Sequence, residues 1–152
     1  MAEQETFARL FTIEEAQGLL AEIEPLVAEM KTAFEKIRIE ISEASSMEGL
    51  EPGSQRLSKR LEQRGVAPAL VVHVNDLIRR IAEKGCVVNG PEAGLVDFPA
   101  LFDSQIVFLC WQHGEPRIGH WHTIPDGFAG RRPLLDIGTG ISGEDDASSV
   151  VH

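Results

Sequence analysis

From Thr12 the chain reads TIEEAQGLLAEIEPLVAEMKTAFEKIRIEISEAS, with apolar residues at Ile13, Ala16, Leu20, Ile23, Val27, Met30, Phe34, Ile37 and Ile41. Spacings of three and four alternate without a miss, the period of a helix with one apolar seam and not of a strand. Thr12 and Glu15 stand in capping-box spacing, and Glu14 and Glu15 put negative charge where the helix dipole favours it. A helix over 12–46 follows, roughly 45 Å long. Pro25 lies inside it and is expected to kink rather than end it, because the seam resumes in register.

Residues 47–54, MEGLEPGS, read as a loop, and a second helical region over 55–84 follows. Leu57 and Leu61 belong to one register, and Leu70, Val74, Leu77 and Ile81 to another. Between them GVAPA predicts a break or kink, since Gly65 weakens the helix and Pro68 disfavours α at Ala67. Gly85 is placed to be the left-handed residue that closes the helix. Residues 12–46 hold eight Glu against three Lys or Arg, whereas 55–84 hold seven Lys or Arg against three acids. Opposite charge along the flanks favours pairing of the two helices. The expected fold is α+β and mainly α: a long antiparallel helical hairpin with a coiled-coil-like seam, followed by a small antiparallel β-hairpin segment. Two such hairpins would close their seams as a four-helix homodimer.

The length suits one domain, read as 1–136, with a β-rich segment at 86–125 and a Gly/Arg loop at 126–136. CVVNGPEAGLVDFPALFD reads as short extended runs broken by the turn signal Asn89-Gly90-Pro91 and by Pro99. Residues 137–152 read as an acidic flexible tail. A net charge of −10 argues against nucleic acid or an anionic membrane as partner, since both select clustered Lys and Arg. There is no apolar run of membrane-spanning length. The first residues lack the basic and apolar regions of a signal peptide, so a cytoplasmic protein is expected. Cys86 and Cys110 then read as free thiols.

The stretch 109–122, LCWQHGEPRIGHWH, holds three of the five histidines, one of the two cysteines and both tryptophans. QIVFLCWQ reads as a strand that is apolar on both faces, GEP as a turn and RIGHWHTI as a second strand. Side chains alternate along a strand, so His120 and His122 share a face. One turn length opposes Trp111 to His120 and Leu109 to His122, with His113 on that face. Another opposes Cys110 to His120 and Phe108 to His122. A metal reading takes His120, His122 and Cys110 as ligands, completed by Asp97 or Glu115, and the donor set suits zinc or iron. The plain alternative is a packed hairpin with Cys110 as a small buried hydrophobe. In PDGFAGRRPL, Arg131 or Arg132 could hold a carboxylate or phosphate, or Arg131 could pair with Asp97 or Asp126 and pin the loop. No phosphate loop, dinucleotide fingerprint or nucleophile elbow is present.

FTIEEAQGLL, GLVDFPALFD, LCWQHGEPRIGHWH and GFAGRRPL, in that order, resemble the uncharacterised bacterial family known as domain of unknown function 2203. The resemblance runs from about residue 10 to 135 and implies a long helical hairpin followed by a small β-rich segment, with no established activity. Its motif positions here are Gly94, Asp97, Phe98, Pro99, Cys110, Trp111, Gly114, Glu115, Trp121, His122, Gly127, Gly130 and Arg131. The chain departs from the family at Gln112, usually Arg, and at His120, usually aromatic. That leaves His122 as the motif histidine. A family-wide site would then draw on Asp97, Glu115, His122 and Arg131, with Trp111 and Trp121 as walls. Two functions follow as expectations. One is a dimerising binding module, with a protein or small molecule as partner and a small pocket at the β-hairpin. The other is a metal-dependent enzyme using His122 with His120 and Asp97 or Glu115.

Overall fold

The computed structural model of the chain describes residues 7, 9–48, 55–56, 59, 66–134 and 141–142. Among the described residues, α1 (Ile13–Glu48) and α2 (Val66–Glu83) precede six strands, and residues 55–56 and 59, between the two, are also helical. The strands are β1 (Val87–Gly90), β2 (Leu95–Phe102), β3 (Gln105–Gln112), β4 (His120–Thr123), β5 (Arg132–Pro133) and β6 (Ile141–Ser142). They form one antiparallel sheet in the order β1-β2-β3-β4-β5, with β6 on the far end of β2.

This overturns the expectation of a long helical hairpin followed by a small β-hairpin: one long helix of 36 residues and a short one of 18 accompany a sheet. Leu57, Leu61 and Gly65 lie outside the described residues. Pro68 sits in the first turn of α2, where its missing N–H costs no helical bond. Within the expected tail, Ile141 and Ser142 pair with Phe102 and Leu101, and its other residues lie outside the described ones.

The capping box forms as read. The Thr12 amide donates to Glu15 Oε1 at 2.9 Å, and the Glu15 amide to Thr12 Oγ1 at 3.0 Å. The helix runs on through Pro25. Its seam, however, is covered by its own chain. Ala16, Leu20, Ile23, Val27 and Met30 are buried in a cluster with Val74, Leu77 and Ile81 of α2 and with Val96, Phe98, Leu109 and Trp111 of the sheet. Leu26 and Ala33, which lie off the seam, are buried too. The apolar stripe is therefore wider than a coiled-coil seam, the width of a helix packed on a globular core. Lys84–Glu22 at 3.0 Å and His73–Glu29 at 3.4 Å tie α2 to α1 at the surface. Gly85, at φ +97°, ends α2 and turns the chain into the sheet.

β2 is the strand that the sequence hides, because Pro99 interrupts it. The Pro99 carbonyl accepts from the Phe11 amide at 2.7 Å. A strand residue's N–H and C=O point to the same side, so the proline's missing donor faces away from β3 and breaks no bond to it. Asp103 and Ser104 both take positive φ and make a two-residue hairpin turn, with Phe102 opposite Gln105. That turn puts Asp97 opposite Cys110.

Candidate functional site

Alternation along the strands sorts their side chains onto two faces. Val96, Phe98, Leu109, Trp111 and Trp121 point to the helices and join the main core. Asp97, Phe108, Cys110 and His122 point the other way, and all four are buried there. This outer face is closed by Phe7, whose ring meets Phe108 edge-on at 5.5 Å, and by the loop after β4. Between sheet and cover lies a cavity of about 370 Å³, whose walls include Phe7, Leu95, Phe108, Ile124 and Phe128 and whose floor holds Asp97, Cys110 and His122.

Asp97 and His122 are the only buried polar side chains among the described residues, and both are in this cavity. Burying an ionisable group is costly unless it is paired, and these two pair with each other: His122 Nε2 lies 3.1 Å from Asp97 Oδ1. Each is also held from behind. His122 Nδ1 is 2.7 Å from the Thr123 carbonyl. A carbonyl only accepts, so Nδ1 carries the proton. Asn89 Nδ2 donates to Asp97 Oδ2. Burial works against a charged His122, but the hydrogen bonds that the ring gives to Asp97 and to the Thr123 carbonyl, with the Asp97 charge, outweigh it and raise its pKa. Burial, reinforced by the Asp97 charge, pushes the Cys110 thiol up to about 12. The uncomplexed thiol is thus protonated and no nucleophile.

The loop after β4 is fixed by backbone and by Arg131. Gly127 adopts φ 62°, ψ −165°, a conformation that a side chain would strain, and its amide donates to the Thr123 carbonyl at 3.3 Å. The same carbonyl thus anchors both the loop and the His122 ring. Arg131 Nη2 donates to Glu115 Oε1 at 2.9 Å and to the Cys110 carbonyl at 3.3 Å. The partner of Arg131 is therefore Glu115, and not Asp97 or Asp126. Burial would raise the Glu115 pKa. The hydrogen bonds from Arg131 and the Gln112 amide, with the Arg131 charge, outweigh that and hold it below its ordinary value.

The residues singled out from sequence divide accordingly. Asp97, Cys110 and His122 come together, with one potential ligand atom of each within 4.8 Å of the others. The pairing is Cys110 with His120 and Phe108 with His122, the second of the two registers considered. His120 shares the face, but its Nδ1 points towards Glu115 Oε2 at 3.6 Å, outside that cluster. His113 stacks edge-on to Trp111 at 6.0 Å. Trp111 and Trp121 lie in the helix-side core and do not line the cavity. Arg132 is exposed over the Trp121 ring. Sequence reading treated Asn89 only as a turn residue and missed Phe7, Leu95, Ile124 and Phe128 as walls. Asn89 stands at the irregularity between Val88 and Gly90 in the β1–β2 pairing, so alternation along the strand does not by itself point it out.

Among the described residues no helix is long and apolar enough to cross a membrane. No curated protein and no solved structure matches the chain. The family model described as Uncharacterized conserved protein (DUF2203) matches residues 9–134, a span that holds the cavity floor and the sheet from β1 to β5. The chain belongs to that family.

Proposed function

We propose that this protein is a binding module whose working surface is the outer face of the sheet. One observation carries the proposal. The sheet is buried on both faces, but only the inner face is filled by helices. The outer face keeps a cavity of about 370 Å³ with the two buried polar side chains at its floor. Apolar walls with a few convergent polar groups are the usual form of a small-molecule site. The fitting ligand is a compact molecule with an apolar body against Phe7, Leu95, Ile124 and Phe128, and a polar end at Asp97 and His122.

The test is a fragment screen by protein-observed NMR on the full chain and on Ile124→Trp, whose indole would occupy the cavity. Saturable shifts at Val87, Asn89, Leu95 and Phe128, weakened about tenfold or more (1.4 kcal/mol) in Ile124→Trp, support the proposal. Fragments that leave these residues unmoved, or bind both proteins equally, overturn it.

Self-association is proposed only through the distal seam. Phe34, Ile37 and Ile41 remain partly exposed, and Ile39 beside them is 44% exposed. Light scattering that gives a monomer at micromolar concentration overturns the homodimer.

A further inference from the structure

We infer that the floor of the cavity is a mononuclear site for a divalent transition-metal ion of the zinc class. Asp97, Cys110 and His122 are its protein ligands, and its fourth position opens into the cavity. The inference deepens the proposed function, because the open position would supply the polar anchor for a bound molecule.

The first support is convergence. Three side chains with different metal-binding atoms, each no more than 2% exposed, bring those atoms within 4.8 Å of one another. Tetrahedral bonds of about 2.0–2.3 Å place ligand atoms about 3.3–3.8 Å apart. The observed spread brackets that range: His122 Nε2 and Asp97 Oδ1 stand at 3.1 Å, and the cluster as a whole lies within 4.8 Å. Side-chain adjustments of about 1 Å complete the geometry.

The second support is independent of those atoms and lies behind them. A metal-bound histidine commonly donates its other ring N–H to a carbonyl or carboxylate, and ligating carboxylates are hydrogen-bonded in turn. His122 gives Nδ1–H to the Thr123 carbonyl at 2.7 Å, which leaves Nε2 turned to the cluster. Asp97 has Oδ2 occupied by Asn89, which leaves Oδ1 for the cluster. The supports come from β1 and the end of β4, so the ligands sit on strands held in register.

The donor set selects the ion. A thiolate and an imidazole favour zinc and its transition-metal neighbours, whereas calcium and magnesium want six or more oxygens. Three protein ligands and one open position is the arrangement of a zinc ion that binds an exchangeable molecule. His120 is not among these ligands: its Nδ1 faces Glu115 Oε2 at 3.6 Å, and the ring lies outside the cluster.

The experiment titrates metal-stripped full-length protein with Co²⁺ and then with Zn²⁺. Expected are visible bands of tetrahedral cobalt saturating at one equivalent, a near-ultraviolet sulfur-to-cobalt band, and loss of both on adding zinc. Cys110→Ser should lose the sulfur band, and Asp97→Ala the saturable binding, whereas His120→Ala should keep the complete spectrum. Asn89 is exposed, so Asn89→Ala serves where a buried variant does not fold, and it should weaken zinc about 10–100-fold. A featureless cobalt titration with no rise in melting temperature on adding zinc overturns the inference and leaves a buried ion pair. A spectrum lost in His120→Ala but kept in Asp97→Ala also overturns it, in favour of the other histidine. Fragment shifts in metal-stripped protein report on the cavity alone, so cavity and metal site can fail separately.

Discussion

The two faces of the sheet are built from alternate residues of the same strands, yet they answer different physical demands. On the inner face, Val96, Phe98, Leu109 and Trp111 are fully buried against α1 and α2. On the outer face, Asp97, Cys110 and His122 are just as inaccessible but surround open space. Burial alone therefore does not separate core from site here. What separates them is whether the buried atoms are apolar and filled round, or polar and left facing a cavity. A one-residue slip of β3 would exchange the two sets, so the positive-φ turn at Asp103 and Ser104 protects the site as much as the core.

Adjacent residues of β3 give the sharpest way to break the comparison. Trp111→Ala on the inner face should cost about 3–5 kcal/mol in urea unfolding, through lost burial and the cavity left behind. Cys110→Ala, one residue away on the outer face, should cost about 1 kcal/mol in metal-stripped protein, because its surroundings are already open. Equal losses at the two positions would mean that the outer face is packed core and not a site.

A smaller effect separates the polar pair from its neighbours. Asp97→Ala leaves a buried histidine without its partner, and His122→Ala leaves a buried carboxylate without its own. Each single change should therefore destabilise more than its share of the double change. The coupling in the double-mutant cycle, measured in metal-stripped protein, is expected at about 0.5–3 kcal/mol. Strict additivity would show that the 3.1 Å contact between Asp97 and His122 contributes nothing to stability.

The sequence made local chemistry legible and hid what depends on pairing. Thr12 and Glu15 were readable as a capping box because all their partners lie within one turn. QIVFLCWQ was readable as a strand to its ends, Gln105 and Gln112, and Gly85 as a helix terminator. The seam of α1 was equally visible, but a stripe of apolar residues does not say whether a second helix or a sheet will cover it. β2 was lost because proline argues against a strand unless one knows which edge its nitrogen faces. The site residues were each in view, but divided over two groupings: Cys110 and His122 with His120 as metal ligands, and Asp97 and His122 with Glu115 and Arg131 as the family-wide set. Asp97 stands six residues before Asp103, and Cys110 six after Ser104. Reading Asp-Ser as a two-residue turn would have placed the two opposite each other. Asn89 carried no such signal until β1 was known to pair with β2.

The least expected effect lies at the rim, where Glu115 joins Arg131 to the β3–β4 connection. Its carboxylate takes hydrogen bonds from Arg131 at 2.9 Å and from the Gln112 amide at 2.7 Å, and its pKa is lowered in the folded chain. A carboxylate that ionises more readily folded than unfolded stabilises the fold above its unfolded pKa. That contribution is lost as pH falls through the lower, folded value. The window therefore lies below the ordinary value of 4.5. Glu115→Gln should lose on the order of 1 kcal/mol at neutral pH, and the gap to the unaltered protein should narrow on acidification through that window. Urea unfolding of both proteins across the acid range measures this. Because Glu115 contacts neither Asp97 nor His122, the variant should leave the coupling between those two unchanged. A changed coupling would mean that the rim and the cavity floor form one network, and the division between structural loop and working face would have to be redrawn at Arg131.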